Sequence, residues 1–324
     1  MIRACIQTHS PPLFSELTFD DVLKAHRRIE DHIRNTPLIS DQKLNNEFGA
    51  QVFFKMENQQ ETNSFKARGA FNAVLNFAEK NGNFPKKIVV HSSGNHAQAI
   101  AYVGEKFGIP TLIYMIKKAS PVKIAVAKNL GAEVVLFERR DEVNRAAEKK
   151  QQEGYFFIHP SDNDDVICGQ GTSALEALLE IGEVAAIFAP LGGGGLISGC
   201  FLAAQKLSPQ AKIFGCEPLN ANDTARSLRE GKIFHFDDTP DTIADGARTL
   251  ATSERCFNYI KKIAGILEIS EKEIIFWQKK LSEILLEKIE PTSALAVAGL
   301  AQFLKNNPPQ RNQKFLVIIS GGNI

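Results

Sequence analysis

The sequence is poor in anything that would staple it together. It has 5 cysteines, Cys5, Cys168, Cys200, Cys216 and Cys256. An odd count without CxxC spacing excludes a disulfide framework and a zinc ribbon, and leaves buried free thiols suited to a reducing cytoplasm. An excess of one charge is missing too: 38 Lys and Arg meet 37 Asp and Glu, for a formal charge of +1. That balance gives no electrostatic ground to expect nucleic acid or an acidic surface as partner. No run approaches the roughly 18 apolar residues of a membrane-spanning helix. The N-terminal MIRACIQTHSPPLFSELTFDD has no long apolar stretch of the secretory kind. Internal repeats, low-complexity tracts and long linkers are absent. So are the GxGxxG of dinucleotide folds and the GK[ST] of nucleotide P-loops. What remains is a soluble globular composition, 44% hydrophobic and 23% charged, over 324 residues. That length suits one large domain or two modest ones.

What is present is a recurring local pattern of short apolar strand, glycine turn and helix. KKIVVHSSGNHAQAIAYVGEKFG shows it from Lys86 to Gly108, and AAIFAPLGGGGLISGCFLAAQKL from Ala185 to Leu207. KFLVIISGGNI at the end of the chain is a strand entering a glycine turn. Between the first two, TLIYMIKKASPVKIAVAKNLGAEVVLF reads strand, loop, helix, Gly131 stop, strand, with Pro121 in the first helical turn. Continuous apolar strands alternating with helices predict an α/β fold with parallel-rich sheets covered on both faces. Ligands in such sheets sit at the carboxyl ends of strands, where these glycine turns fall. Polar breaks at Asn81 to Lys87 and His159 to Asp165 are candidate boundaries.

Four segments carry candidate chemistry. In ETNSFKARGA, Lys66 stands at a helix start, where the positive dipole should lower its pKa. Imine-forming lysines need that, although taken alone such a lysine is usually a solvated surface residue. Gly192 to Gly195 join a strand to a helix, so their N–H groups can converge on one phosphate; the plain alternative is a flexible loop. Ser92-Ser93-Gly94-Asn95-His96 places hydroxyl, amide and imidazole at one strand tip. Ser320-Gly321-Gly322-Asn323 places at another strand tip a serine able to bond a heteroatom without changing its charge.

In this order SFKxRGA, SSGNHxQ, GGGG and SGGN resemble the fold-type II pyridoxal-phosphate enzymes. The likeness is strongest to the serine/threonine dehydratase branch that includes serine racemases and hydroxyaspartate dehydratases. It runs from Pro37 to the end of the chain. The resemblance implies two α/β lobes: residues 1–84 and 162–324 binding the cofactor, and residues 85–161 forming a smaller mobile lobe. It implies that Lys66 holds pyridoxal 5'-phosphate as an imine against Phe65, and that Gly192, Gly193, Gly194 and Gly195 cradle the phosphate. Asn95 would bond the ring oxygen and Ser320 the pyridine nitrogen. Gly246 would face the ring opposite Phe65, and Glu290 would sit at its edge. Ser92, Ser93, Gly94, Asn95 and His96 would take the substrate carboxylate. A magnesium or other divalent ion would bind Glu217, Asp223 and the carbonyl of Ala221, a pair of carboxylates that by spacing alone reads as solvated. A homodimer is implied as well.

A serine cannot keep the pyridine nitrogen protonated, so a long-lived carbanion is disfavoured and β-elimination is favoured. Lys66 is the expected base. The main expectation is dehydration of L-threonine or L-serine to a 2-keto acid and ammonia. The alternatives are serine racemisation, dehydration of threo-3-hydroxyaspartate, and a cofactor-binding protein without turnover. Ser93 bears on this choice. Degradative threonine dehydratases usually carry alanine there, whereas a hydroxyl can move a proton on the face opposite Lys66. Capping the next helix is the structural alternative for Ser93. Ser161, where racemases tend to have asparagine, and ARTLATSERCFNYI after Gly246 depart from the pattern beside the substrate entrance. With SGGN so near the end at Ile324, no C-terminal regulatory domain is expected.

Overall fold

A computed structural model describes residues 16–310 and 312–324. Cys5 and most of the N-terminal segment read above lie outside the described residues. In chain order the elements are α1 (Phe19–Ile29), β1 (Leu38–Ile39), α2 (Gln42–Phe48), β2 (Gln51–Met56), α3 (Lys66–Asn81), β3 (Ile88–His91), α4 (Asn95–Phe107), β4 (Thr111–Ile116), α5 (Pro121–Asn129), β5 (Glu133–Phe137), α6 (Arg140–Gln152) and β6 (Phe156–Phe157). There follow α7 (Asp164–Ile181), β7 (Ala186–Pro190), α8 (Gly195–Leu207), β8 (Lys212–Pro218), α9 (Asp223–Glu230), α10 (Glu254–Ile260), β9 (Gly265–Ile269), α11 (Glu271–Leu285), α12 (Pro291–Asn306) and β10 (Lys314–Ile319).

The strands make two sheets. The larger has the order β1-β2-β10-β7-β8-β9, with only β1 antiparallel. The smaller, β5-β4-β3-β6, is wholly parallel. Parallel sheets need both faces covered, and the sequence supplies this at β7, whose AIFAP is buried at every position. Phe54, Phe188, Phe315 and Val317 pack on one face with Leu295 and Leu300 of α12 and Trp277 of α11. On the other face Ile187, Leu316 and Ile318 meet Leu175 of α7 and Ile197 and Cys200 of α8. Truncating a buried phenylalanine such as Phe188 would cost about 3–5 kcal/mol. Ile88, Val90 and Ile113 of the smaller sheet share a core with Ala67, Ala70, Phe71 and Val74 of α3.

Between the sheets, helices touch backbone to backbone. A Cβ added at Gly199 of α8 would lie 2.4 Å from the amide nitrogen of Gly171 in α7, so this crossing tolerates no side chain. The same layer holds a buried ionic cluster. The Arg68 guanidinium, fully buried, grips Glu57 (Nε–Oε2 2.7 Å, Nη2–Oε1 2.8 Å) and Glu176 (Nη1–Oε1 2.6 Å, Nη2–Oε2 2.7 Å). Lys55 Nζ reaches Glu176 at 2.6 Å and donates to Thr36 O at 2.7 Å. Burial alone would raise the Glu176 pKa, but the Arg68 guanidinium outweighs it and holds the carboxyl below the usual range. Burial also pulls Lys55 below the ordinary lysine value, against the attraction of Glu176. Removing one member of such a cluster strands a buried charge, at about 3–5 kcal/mol. Because Arg68 lies in the first turn of α3, this cluster fixes where that helix begins.

Candidate active site

That helix begins at Lys66. The turn before it is tied to the end of β10. Phe65 N donates to Ser320 O at 3.0 Å, and Ser64 and Gly321 form an antiparallel bridge. Ser64 Oγ accepts from Lys66 N at 3.2 Å. The Lys66 amine is thereby aimed into the gap between the sheets. It donates to Pro160 O at 3.0 Å and stands 5.0 Å from the centre of the Phe65 ring. Burial lowers its pKa from 10.5 to about 8, against the opposing pull of Cys256 and Glu290. The sequence argument placed the cause in the helix dipole; desolvation is the cause here. Much of the amine is then neutral and nucleophilic in mildly alkaline solution.

The strand tips converge on this amine. Ser320 Oγ lies 3.1 Å from Ser293 Oγ, and both residues are fully buried. Ser293 Oγ donates to Gly321 O at 2.7 Å and accepts from Gly321 N at 2.8 Å. Its proton is thus committed to the backbone, and it presents Ser320 with a neutral partner. Glu290 is the residue before α12. Asn95 Nδ2 donates to both its oxygens, at 3.1 and 3.0 Å, and Asn323 Nδ2 donates to Asn95 Oδ1 at 3.0 Å. Burial, despite the Asn95 hydrogen bonds, raises the Glu290 pKa to about 7. A Cβ at Gly321 would fall 2.6 Å from Glu290 Oε1, so only glycine lets this carboxyl approach.

The glycine loop lies against the same gap. Gly194 has φ +96, a conformation that a side chain would strain. A Cβ at Gly192 would lie 2.9 Å from Gly246 O, and one at Gly193 2.4 Å from Ser161 Oγ. The loop is therefore pressed between the Gly246 turn and the His159 to Asp162 turn, which excludes the reading of a flexible connection. Gly193 O accepts from Ser253 Oγ at 3.2 Å. The amides of Gly192, Gly193 and Gly194 donate to no acceptor among the described residues. Unused donors at the start of α8 are the elements of a phosphate site. With a neutral-capable lysine and a serine at Ser320, the residues fit pyridoxal phosphate.

The turn from Ser92 to His96 occupies the tip of β3. Gly94 is the N-cap of α4 and no side chain caps this helix, so the capping role considered for Ser93 is not realised. The Ser93 hydroxyl has no hydrogen bond among the described residues. His96 Nε2 meets Ile158 O at 3.0 Å, which makes that nitrogen the donor. His159 Nδ1 accepts from Ser161 N and Asp162 N, at 3.2 and 2.7 Å. Burial, then the Lys66 charge, takes His159 down to about 4, and the same two causes take His96 well below 6.5. Both imidazoles are neutral at physiological pH. They order the segment around Pro160 rather than carry charge.

Of the expected cation site, Glu217 and Asp223 come together beside Ala221. Glu217 Oε1 accepts from Ala225 N at 2.7 Å, while its Oε2 is buried without a partner. Burial, then the Asp223 charge, raises Glu217 to about 8; burial raises Asp223 to about 7. Among the described residues, no three side chains of His, Cys, Asp or Glu are grouped to hold a metal. The spacing argument for solvated carboxylates does not hold, because both are buried. Ser293, Pro160, Ser253 and Cys256 were not singled out from sequence. They act through a backbone carbonyl, a neutral hydroxyl or packing, which leave no compositional mark.

The family model described as "Pyridoxal-phosphate dependent enzyme" matches residues 29–321, and the chain belongs to that family. It is 41% identical over 312 residues to the L-threo-3-hydroxyaspartate ammonia-lyase of Saccharomyces cerevisiae, covering 95% of this chain and 93% of that one. It is also 41% identical over 312 residues to the serine racemase of Schizosaccharomyces pombe, covering 95% and 94%. Among solved structures it resembles a threonine deaminase of T.th., with a TM-score of 0.88 and 37% identity, covering 95% and 99%. The enzyme is thus of the pyridoxal-phosphate ammonia-lyase and racemase kind. These sequence relatives support the racemase and hydroxyaspartate alternatives better than the threonine or serine dehydratase expected first. No helix among the described residues is long and apolar enough to cross a membrane.

Proposed function

We propose that this enzyme eliminates water from L-threo-3-hydroxyaspartate, that the resulting enamine takes up water to release ammonia and a four-carbon 2-keto diacid, and that the enzyme also racemises serine. The reading is carried by a part-buried Lys66 amine, its pKa lowered to about 8, and by the turn whose Asn95 bonds Glu290 and whose Ser93 hydroxyl has no hydrogen bond among the described residues. The likeness to the two relatives supports the choice of substrates. When bound, the cofactor withdraws electrons from the substrate's Cα and so acidifies its proton.

The protein's residues do the rest. The Ser92 to His96 turn takes the α-carboxylate at the start of α4. Lys66 accepts the α-proton as base. Ser320 stays neutral and favours prompt loss of the β-hydroxyl. Ser93 holds or returns a proton on the other face, which inversion at Cα requires. Glu217, Asp223 and the Ala221 carbonyl hold a divalent cation away from the chemistry, a role supported by the unpartnered Glu217 Oε2. Residues 85–161 close over bound substrate and exclude water.

The test is to incubate purified, cofactor-loaded enzyme with L-threo-3-hydroxyaspartate, L-serine and L-threonine. Keto acid, ammonia and D-serine are then measured. The reading expects hydroxyaspartate to have the highest kcat/KM and D-serine to form. Preference for threonine without D-serine would overturn it.

A further inference from the structure

The chain turns sharply just before Lys66. Thr62 and Asn63 both have positive φ, +60 and +52. A β-branched residue is strained there, and such strain persists only where the surroundings impose it. Here the turn beyond β10 imposes it. Gly322 N donates to Asn63 O at 3.0 Å, and Asn323 Nδ2 donates to Thr62 O at 2.9 Å. The left-handed pair thus delivers two carbonyls to the residues that follow Ser320.

Asn323 passes an orientation on. A backbone carbonyl can only accept, so Thr62 O fixes which end of the Asn323 amide faces it. The same nitrogen donates to Asn95 Oδ1 at 3.0 Å, and Asn323 Oδ1 accepts from Asn63 Nδ2 at 3.4 Å. Asn95, buried at the start of α4, must then turn its oxygen to Asn323 and its nitrogen to Glu290, whose two oxygens accept at 3.1 and 3.0 Å. The oxygens of one carboxylate subtend too narrow an angle at that nitrogen to use both of its hydrogens. One N–H serves them, and the second is uncommitted among the described residues. Reversed end for end, Asn95 would offer an oxygen in its place. The relay also ties the turn after β3 of the smaller sheet to the turn after β10 of the larger. Lys123 of α5, paired with Asp245 beside Gly246, is another tie between the two sides.

We propose that Asn323, held by the carbonyl of the strained Thr62, is a positioning residue that fixes the Asn95 amide so that its second N–H meets the cofactor's ring oxygen. This rests on the proposed function above, which needs the cofactor at Lys66, and deepens it. An N–H donor favours the ionised form of that oxygen, and an amide oxygen in its place opposes it.

The test needs no substrate. In cofactor-loaded enzyme, the ratio of visible to near-ultraviolet absorbance of the bound cofactor reports the ionisation of its ring oxygen. Bound cofactor is counted separately, after release in alkali. Asn323→Asp keeps the shape but can only accept, so Asn95 reverses and the ratio should fall about 10-fold, the scale of a lost hydrogen bond to a charged group. Asn323→Ala leaves Asn95 held by Glu290 alone and should lower the ratio about 3-fold. Because Asn323 acts through Asn95, Asn323→Asp should cause no further fall in an Asn95→Ala background. A ratio unchanged in both Asn323 variants at full cofactor occupancy overturns the proposal. So does an unchanged ratio in Asn95→Ala, or the same fall with and without Asn95. If Asn323→Asp takes up no cofactor, Asn323→Ala and its double variant with Asn95→Ala decide alone. Should the enzyme not turn over hydroxyaspartate, the functional reading fails, while the absorbance ratio still decides the relay.

Discussion

The two sheets solve the same burial problem with different margins. The larger has β7 fully buried and β10 buried at five of its six positions, and beside it lies a closed ionic cluster around Arg68. The smaller ends in β5, where no residue is fully buried. The side that holds Lys66, the glycine loop and Ser320 anchors its buried arginine between two carboxylates. The side that carries Ser93 leaves that hydroxyl unanswered, and at the cleft the glycine loop likewise leaves its amides unused. Unanswered groups are what a protein can offer to a substrate, while answered ones hold geometry.

That contrast can be broken at several points. Lys66→Ala should reduce elimination by about 1000-fold or more, since it removes both cofactor attachment and the base. Ammonia release measures it, and loss of the cofactor's visible absorbance after dialysis checks the attachment. Arg68→Ala should cost about 3–5 kcal/mol of stability by stranding Glu57 and Glu176. Urea unfolding tests this, and a loss below about 1 kcal/mol would remove the claim that the cluster anchors α3. On the other side, Ser93→Ala should lower D-serine formation about 100-fold and leave most L-serine deamination in place. Equal losses would mean that Ser93 is not a proton-transfer group on its own face.

A smaller effect is expected from Glu217 and Asp223. Their native pKa values, about 8 and about 7, lie above the reference 4.5 and 3.8. The folded state thus binds more protons than the unfolded one between about pH 4 and about pH 8. This contribution is fully present below the unfolded values and is lost as pH rises through the folded ones. In chelator, Tm should fall across that window, and magnesium should restore most of the loss near pH 8. A Tm indifferent to magnesium at that pH would remove the cation from the proposed function. The least effect belongs to Lys123→Ala, which cuts the Asp245 link between the two sides. About 0.5–1 kcal/mol is expected, seen as a rise of a few fold in KM.

Much of this was legible in the sequence where neighbours in the chain are neighbours in space. Gly192 to Gly195 lie between β7 and α8, and a glycine run between an apolar strand and a helix has few structural meanings. The turns at Ser92 to His96 and Ser320 to Asn323 were legible for the same reason, as was Pro121 opening α5. Ser93 was ambiguous between cap and proton carrier, and tertiary placement of Gly94 at the cap removed the first role. The preference for threonine or serine as substrate was drawn from the shared motifs, which do not carry that information. The segment after Gly246 departs from that shared pattern.

The sequence alone determined the alternation of strand and helix, the three glycine turns and the chemical types that stand at them, because each depends on a few consecutive residues. The tertiary structure decided which of those types became reactive. Lys66 is neutral-capable through burial by elements distant in sequence. Ser320 meets a neutral partner because Ser293 is beside it. Desolvation and pairing are properties of a surrounding, and only the fold assembles one.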